Sequence, residues 1–187
     1  MKYDKITRHL VVDAFYLADR QDEHIIDDVI AGWTGLFPCN WGTIAASHEE
    51  RGYFIDGKLW FFSSTSRPEL GTSHTDGTRW IEADTLLRSP ERWALRISRP
   101  MTDREIEREI SRANGLLGMR YDMIGVVLDF IRPGLVGHQR KKIYCSKACH
   151  FLQTGKYKRI SPRRRSKYVK KHGYQPISVA EVLTMQH

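Results

Sequence analysis

The pattern of apolar and polar positions predicts strands in the first half of the chain. An apolar, partly β-branched run over 9–17 indicates a buried strand. Segment 43–64 predicts an antiparallel hairpin, because its central Asp56-Gly57 pair favours a two-residue type I′ turn. Two further strands are expected at 78–83 and 92–97.

Helical spacing of apolar residues predicts most of the remaining elements. A capping box from Thr102 to Glu105 opens one helix, which we expect to end at Gly118. Ser178 starts a short final helix in the same way. No internal repeat or second domain is visible, so residues 1–187 are expected to form a single α+β domain. Helices are expected at 22–33, 103–117 and 121–131, and after residues 144 and 178.

The predicted hairpin gathers polar side chains at the end away from its turn. Counting outward from the turn places Glu50 opposite Ser63 and His48 opposite Thr65. A polar cluster that continues an apolar stripe is typical of an active site at the edge of a core. The alternative is a solvent-exposed strand end, since polar surface residues are common. The whole face would carry His48, Glu50, Gly52, Phe54, Leu59, Phe61, Ser63 and Thr65.

Cys145 is the candidate nucleophile. It stands at a predicted helix start, where the helix dipole and unpaired N–H groups favour thiolate over thiol. Lys142 and Lys147 add positive charge nearby, and the Ser146 hydroxyl can cap the helix. The alternative is a buried, unreactive cysteine that behaves as a small hydrophobe.

The other cysteines and histidines give no comparable signal. Cys39, Cys145 and Cys149 are unevenly spaced, which is not a disulfide framework and fits a reducing compartment. Cys149 is expected to pack in the core one helical turn after Cys145. The Cys-x3-Cys pair has no second half-site, so we expect neither a metal nor another cofactor. The residues expected to be dispensable for hydrolysis are Cys39, His9, His24, His74, His138, His150 and His172.

A net charge of +8 suggests an anionic partner. Most of this charge comes from segment 156–172, which contains nine cations and no acid, with Tyr157 and Tyr168 interleaved. Such a segment can contact nucleic-acid phosphates, meet an acidic cell-wall polymer, or remain a solvated surface. The cations are Lys156, Lys158, Arg159, Arg163, Arg164, Arg165, Lys167, Lys170 and Lys171.

Composition is ordinary for a soluble globular protein, with 41% apolar and 28% charged residues. No run approaches the roughly 20 apolar residues needed to span a membrane. The first five residues lack the apolar core of a secretory signal, which predicts synthesis in the cytoplasm. Export would then need a phage particle or a dedicated secretion system.

The order of elements, with a histidine strand first and a cysteine helix later, resembles the circularly permuted papain-like cysteine hydrolases of the NlpC type, the YiiX-like group. The likeness is close to small bacterial and phage-encoded members of this group. Lys147 stands where members often have an acid, and segment 37–44 resembles an insertion. The likeness rests on Ala14-Phe15-Tyr16, Trp33-Thr34, Ser47-His48, Glu50, Asp56-Gly57, Phe62-Ser63-Ser64, Gly77-Thr78-Arg79-Trp80, Trp93, Gly118-Met119-Arg120-Tyr121-Asp122, Gly125 and Tyr144-Cys145-Ser146.

This resemblance implies a papain-like core, in which a cysteine helix packs on the antiparallel sheet that carries the histidine. His48 would take the proton of Cys145, and the thiolate would attack a carbonyl. A backbone N–H at the helix start would stabilise the oxyanion. Glu50 and Ser63 are both candidates to orient His48, and the sequence does not separate them. Tyr121 matches a family tyrosine that lines the substrate site.

The sequence therefore predicts two alternative functions. The first is a cysteine peptidase or amidase that cleaves an amide bond, with peptidoglycan stem peptides among its candidate substrates. The second is a non-enzymatic protein that binds nucleic acid or another anionic surface through segment 156–172. Rapid labelling of Cys145 that depends on His48 favours the enzyme, because only an activated thiol reacts quickly near neutral pH.

Overall fold

A six-stranded antiparallel sheet is the central layer of the protein. The computed structural model describes residues 7–17, 46–65, 77–122, 125–126 and 142–186. The sheet strands are β1 (Val11–Leu17), β2 (Ala46–Ile55), β3 (Lys58–Thr65), β4 (Gly77–Glu82), β5 (Trp93–Ile97) and β8 (Gln175–Ile177), while β6 (Arg120–Tyr121) and β7 (Lys142–Ile143) form a short parallel pair.

The strand order is β4-β3-β2-β1-β5-β8, so the β2–β3 hairpin lies beside β1 in the middle of the sheet. Asp56 and Gly57 have φ angles of 49° and 80°, both in the left-handed region that a type I′ turn requires. Ile55 pairs with Lys58, as the turn predicts. The hairpin register is therefore the one expected from the sequence.

Five described α-helices pack around the sheet. The predicted capping boxes at Thr102 and Ser178 are both present, and each joins its hydroxyl to the N–H of a glutamate three residues later. Predicted helix 22–33 lies outside the described residues. The helices are α1 (Ala83–Leu86), α2 (Asp103–Leu116), α3 (Cys145–Thr154), α4 (Pro162–Lys171) and α5 (Val179–Thr184).

The predicted helix over 121–131 begins later than expected. Tyr121 belongs to strand β6, because Arg120 and Tyr121 pair with Lys142 and Ile143 of β7. The first helical hydrogen bond runs from the Val126 N–H to the carbonyl of residue 122. The rest of this segment lies almost wholly outside the described ranges.

The two faces of the sheet bury separate apolar clusters. One cluster lies under α1 and α5 and includes Val12, Phe54, Phe61, Leu86 and Val182. The other lies under α2 and α3, and its members are Val11, Tyr53, Phe62, Ile106, Ala113, Leu116, Ile143, Ala148 and Leu152.

The cysteine-bearing helix α3 therefore packs directly on an antiparallel sheet, in agreement with the predicted α+β class. Helix α4 packs beside it, with Val169 against Phe15 and Tyr174. In the described part of the chain, no helix combines the length and apolar character needed to cross a membrane.

Candidate active site

His48, Glu50 and Ser63 form a buried chain of polar contacts at the far end of the hairpin. Nε2 of His48 lies 2.5 Å from Oε1 of Glu50, and the Ser63 hydroxyl donates to the same oxygen at 2.8 Å. Glu50 thus contacts the imidazole directly, whereas Ser63 contacts only the carboxylate. The structure separates the two candidates that the sequence left open.

Cys145 is the first residue of α3, and its side chain is hydrogen-bonded to that of His48. Since Nε2 of His48 faces Glu50, Nδ1 is the nitrogen left for the sulfur. Glu50 therefore contacts His48, and His48 contacts Cys145. The structure brings together all four residues predicted for the catalytic site.

The ionisation of the pair follows from these contacts. Burial alone would raise the pKa of the Cys145 thiol, but the charge and hydrogen bond of His48 outweigh it, so this pKa is lowered. Burial alone would lower the pKa of His48, but Cys145 and Glu50 raise it well above its usual value. Both shifts favour a thiolate beside an imidazolium, and the two groups titrate as a pair.

The start of α3 occupies a place where β2 and β3 no longer pair. Their ladder ends at Arg51 and Phe62. Beyond it, the Glu49 N–H bonds to the sulfur of Cys145, and the Cys149 thiol donates to the Glu49 carbonyl at 3.7 Å. Two cysteines one helical turn apart thus satisfy the backbone groups of Glu49. This arrangement explains how a helix residue reaches a histidine on the sheet.

Ser146 has a different role from the one predicted. The residue that caps α3 is Tyr144, without a side-chain cap. The Ser146 hydroxyl instead donates to the Ile160 carbonyl at 2.5 Å, because it lies within the first turn and faces the segment before α4. The Ile160 N–H in turn donates to the Tyr144 hydroxyl at 3.3 Å. The prediction that Ser146 caps α3 is wrong. Its hydroxyl instead connects the segment before α4 to the first turn of α3.

Tyr121, which is predicted to line the substrate site, lies on strand β6 next to the residues that lead into α3. It packs against Val126 and Tyr144, the residue that precedes Cys145. The Lys147 ammonium lies over the ring of the same Tyr144, 5.7 Å from its centre. The described contacts therefore place Tyr121 beside the start of α3.

A buried network around Arg165 was missed by the sequence reasoning. Arg165 is fully buried on α4, and its Nε donates to Glu49 Oε1 at 2.8 Å. Its two terminal nitrogens reach Gln153 Oε1 at 2.6 Å and Asp13 Oδ2 at 3.4 Å. Asp13 also accepts from Arg51 at 2.7 Å. The inclusion of Arg165 among the cations open to a partner is wrong, because its charge is used inside the protein.

A signal for this burial was present in the sequence. Pro162, Arg165, Ser166 and Val169 are all buried and follow the spacing of one helical face. A reading of the segment by charge alone overlooks that spacing. The opposite face and the preceding loop expose the cations Lys156, Lys158, Arg164, Lys167, Lys170 and Lys171.

Cys149 packs in the core, as predicted. Burial raises the pKa of its thiol well above the usual value, and the nearby Glu49 carboxyl acts in the same direction. His150 is also buried, and burial together with Arg165 and Lys158 lowers the pKa of its imidazole to about 4. The predictions for Cys39, His24, His74 and His138 concern residues outside the described ranges.

Within the described ranges, no group of three or more histidine, cysteine, aspartate or glutamate residues is arranged to hold a metal ion. Comparison of the chain with protein-family models, with curated proteins and with solved structures found no match. The interpretation of the site accordingly rests on its own geometry.

Proposed function

We propose that the protein is a cysteine hydrolase, a peptidase or amidase, that cleaves an amide bond. The observation that carries this proposal is the ordered contact from Glu50 through His48 to Cys145 at a helix start. A lone structural cysteine has no need of a buried histidine and carboxylate in this order. The resemblance to permuted NlpC-type, papain-like hydrolases supports the same reading.

In the proposed reaction, the Cys145 thiolate attacks the amide carbonyl carbon and a sulfur–carbon bond forms. Backbone N–H groups in the first turn of α3 lack helical acceptors and stabilise the oxyanion. The His48 imidazolium gives its proton to the leaving nitrogen as the carbon–nitrogen bond breaks. His48 then takes a proton from water, which attacks the thioester. The sulfur–carbon bond then breaks, the acid leaves, and the Cys145 thiolate and His48 imidazolium are restored.

The proposed substrates are peptides, including the stem peptides of peptidoglycan. This choice follows from the resemblance to NlpC-type hydrolases, which implies that the cysteine–histidine pair cleaves amide bonds. A route to peptidoglycan would be carriage in a phage particle or export by a secretion system. Glu50 orients the His48 ring in this scheme, and Ser63 holds the Glu50 carboxylate.

The test is the rate of Cys145 alkylation by iodoacetamide as a function of pH, with the labelled peptide identified by mass spectrometry. Wild type should react with an apparent pKa below that of a free thiol, since His48 lowers it. His48→Ala should raise that pKa, because the largest influence opposing burial is then lost. His9→Ala is the matched control, since His9 pairs with Asp103 outside the site. An unchanged profile in His48→Ala would refute the proposal.

A second candidate function is supported by the outer face of α4. Four cations line it, Arg164, Lys167, Lys170 and Lys171, and no acid lies within segment 156–172. We propose that this face binds an anionic polymer or a nucleic acid. Tyr157 in the preceding loop is 46% exposed and stacks on Phe151, which leaves an aromatic surface beside the cations.

Binding of a single-stranded DNA oligonucleotide, with polyglutamate as a second anion, tests this function. Lys167→Glu combined with Lys171→Glu should weaken binding and flatten its salt dependence, by about 0.7 in log–log slope per lost phosphate contact. Arg88→Glu is the control, an equally exposed arginine between α1 and β5. Cys145 alkylation should stay unchanged in both variants. The double variant changes twice as much charge as Arg88→Glu, so a control loss of about half, in log affinity, would show nonspecific attraction only.

A further inference from the structure

We infer that Arg165 is a positioning residue for Cys145, which it holds in place through Glu49 and Gln153. The inference rests on the proposed function, because it concerns the geometry of the same nucleophile. Arg165 itself does not touch the reacting atoms. Its role is to fix helix α3, near its C-terminal end, against Glu49 on strand β2.

The three nitrogens of the Arg165 guanidinium bond to three different elements. Nε donates to Glu49 on β2 at 2.8 Å, and the terminal nitrogens donate to Gln153 on α3 at 2.6 Å and to Asp13 on β1 at 3.4 Å. Arg165 comes from a fourth element, α4. A planar guanidinium sets these directions rigidly, which an ammonium group cannot do.

Glu49 transmits this constraint to the nucleophile. It lies between His48 and Glu50 in the chain, and its side chain is fully buried. Its N–H contacts the sulfur of Cys145, while its carbonyl accepts from Cys149. When the Glu49 side chain is held in place, its peptide N–H and carbonyl are held as well. These are the groups that Cys145 and Cys149 of α3 contact.

Charge supports the same assignment. Burial raises the pKa of Glu49, Arg165 acts to lower it, and the negative charges of Asp13 and Cys145 raise it further. The net pKa of Glu49 stays well above its usual value, and the Arg165 contact at 2.8 Å is the interaction that opposes this rise. The second Glu49 oxygen has no hydrogen-bond partner among the described residues, so Arg165 is the principal group that fixes this side chain.

Arg165→Lys keeps the charge but provides a single nitrogen for three acceptors. The apparent pKa of Cys145 alkylation should rise by about one unit, which lowers the rate roughly tenfold at pH values below both apparent pKa values. Arg51→Lys is the matched control, because Arg51 is equally buried and bonds to Asp13, Glu109 and the Tyr174 hydroxyl, with no direct hydrogen bond to α3 among the described residues. Arg51→Lys should lower the melting temperature and leave the alkylation profile in place.

Gln153→Met is the milder second variant, since it removes the Arg165 contact on the α3 side, together with one to the Tyr174 hydroxyl, and leaves every charge intact. It should shift the profile in the same direction by a smaller amount. The inference is overturned if Arg165→Lys and Arg51→Lys lose similar stability and neither moves the profile, while His48→Ala still does. If His48→Ala has no effect either, the proposed hydrolase itself fails, and the two failures are distinguishable.

Discussion

Ser63 and Glu50 meet at a single carboxylate oxygen, the one that also faces the His48 ring. The Ser63 hydroxyl donates to Glu50 Oε1 at 2.8 Å, and Nε2 of His48 lies 2.5 Å from the same atom. The other oxygen of Glu50 has no hydrogen-bond partner among the described residues. The carboxylate is thus held from one side by Ser63 while it orients the imidazole on the other.

Glu50→Gln should lower the pKa of His48 more than Ser63→Ala does. In a Cys145→Ala background, burial lowers this pKa and Glu50 raises it, so loss of the carboxylate leaves burial unopposed. A fall of about one unit or more is expected, since an opposite charge at this distance shifts a pKa by 1–3 units. An NMR titration of the His48 ring proton measures it. Equal shifts in the two variants would contradict the assigned order.

Cys149→Ser should leave the alkylation of Cys145 intact. The pKa of the Cys149 thiol is raised by burial, so this residue stays protonated when Cys145 is a thiolate. Serine retains a donor for the Glu49 carbonyl. Peptide mapping after brief iodoacetamide treatment at about pH 6.5 should find label on Cys145 in this variant. Cys145→Ser should show none on Cys149, and label there would reverse the assignment.

His150 should make the fold sensitive to mild acid. The pKa of its imidazole is about 4 in the folded chain and near 6.5 when unfolded, so the unfolded chain binds more protons between these values. Stability that is present above about pH 6.5 is therefore lost as pH falls toward 4. His150→Phe keeps a ring beside Tyr168 and should flatten that slope. Melting temperatures measured between about pH 4 and 6.5, with an accuracy of a few degrees, test this slope.

Gly52→Ala should destabilise the sheet by about 1–3 kcal/mol. A Cβ at this position would lie 2.7 Å from Cε1 of Phe61, which faces Gly52 across the hairpin. Gly115→Ala is the control, because a Cβ there meets nothing within 4 Å and alanine favours the helical backbone of α2. Urea unfolding should show a loss for the first and a small gain for the second.

Local signals account for the parts of the fold that the sequence predicted well. The Asp56-Gly57 turn fixed the hairpin register, and from it followed the meeting of Glu50 and Ser63. Capping boxes marked the starts of two helices, because each is a contact within four residues. The pairing of His48 with Cys145 spans almost a hundred residues, and only the resemblance to a family suggested it.

The errors came from side chains whose surroundings are set by distant elements. Arg165 was counted as exposed because its neighbours in the chain are cations, yet its partners are Asp13 and Glu49. Ser146 was expected to cap α3, but the return of the chain at Ile160 gave its hydroxyl another acceptor. Tertiary contacts of this kind override local preference.

The separation of the site along the chain orders the events of synthesis. His48, Glu50 and Ser63 leave the ribosome together, whereas Cys145 follows His48 by 97 residues. At about 5–20 residues per second, this delay lasts roughly 5–20 s. During that interval Cys145 is not yet present for the histidine and carboxylate to activate. When Cys145 emerges, it keeps the reactivity of an ordinary cysteine until α3 docks beside Glu49. In the proposed hydrolase, the nucleophile is therefore activated only after its sheet and helix have joined.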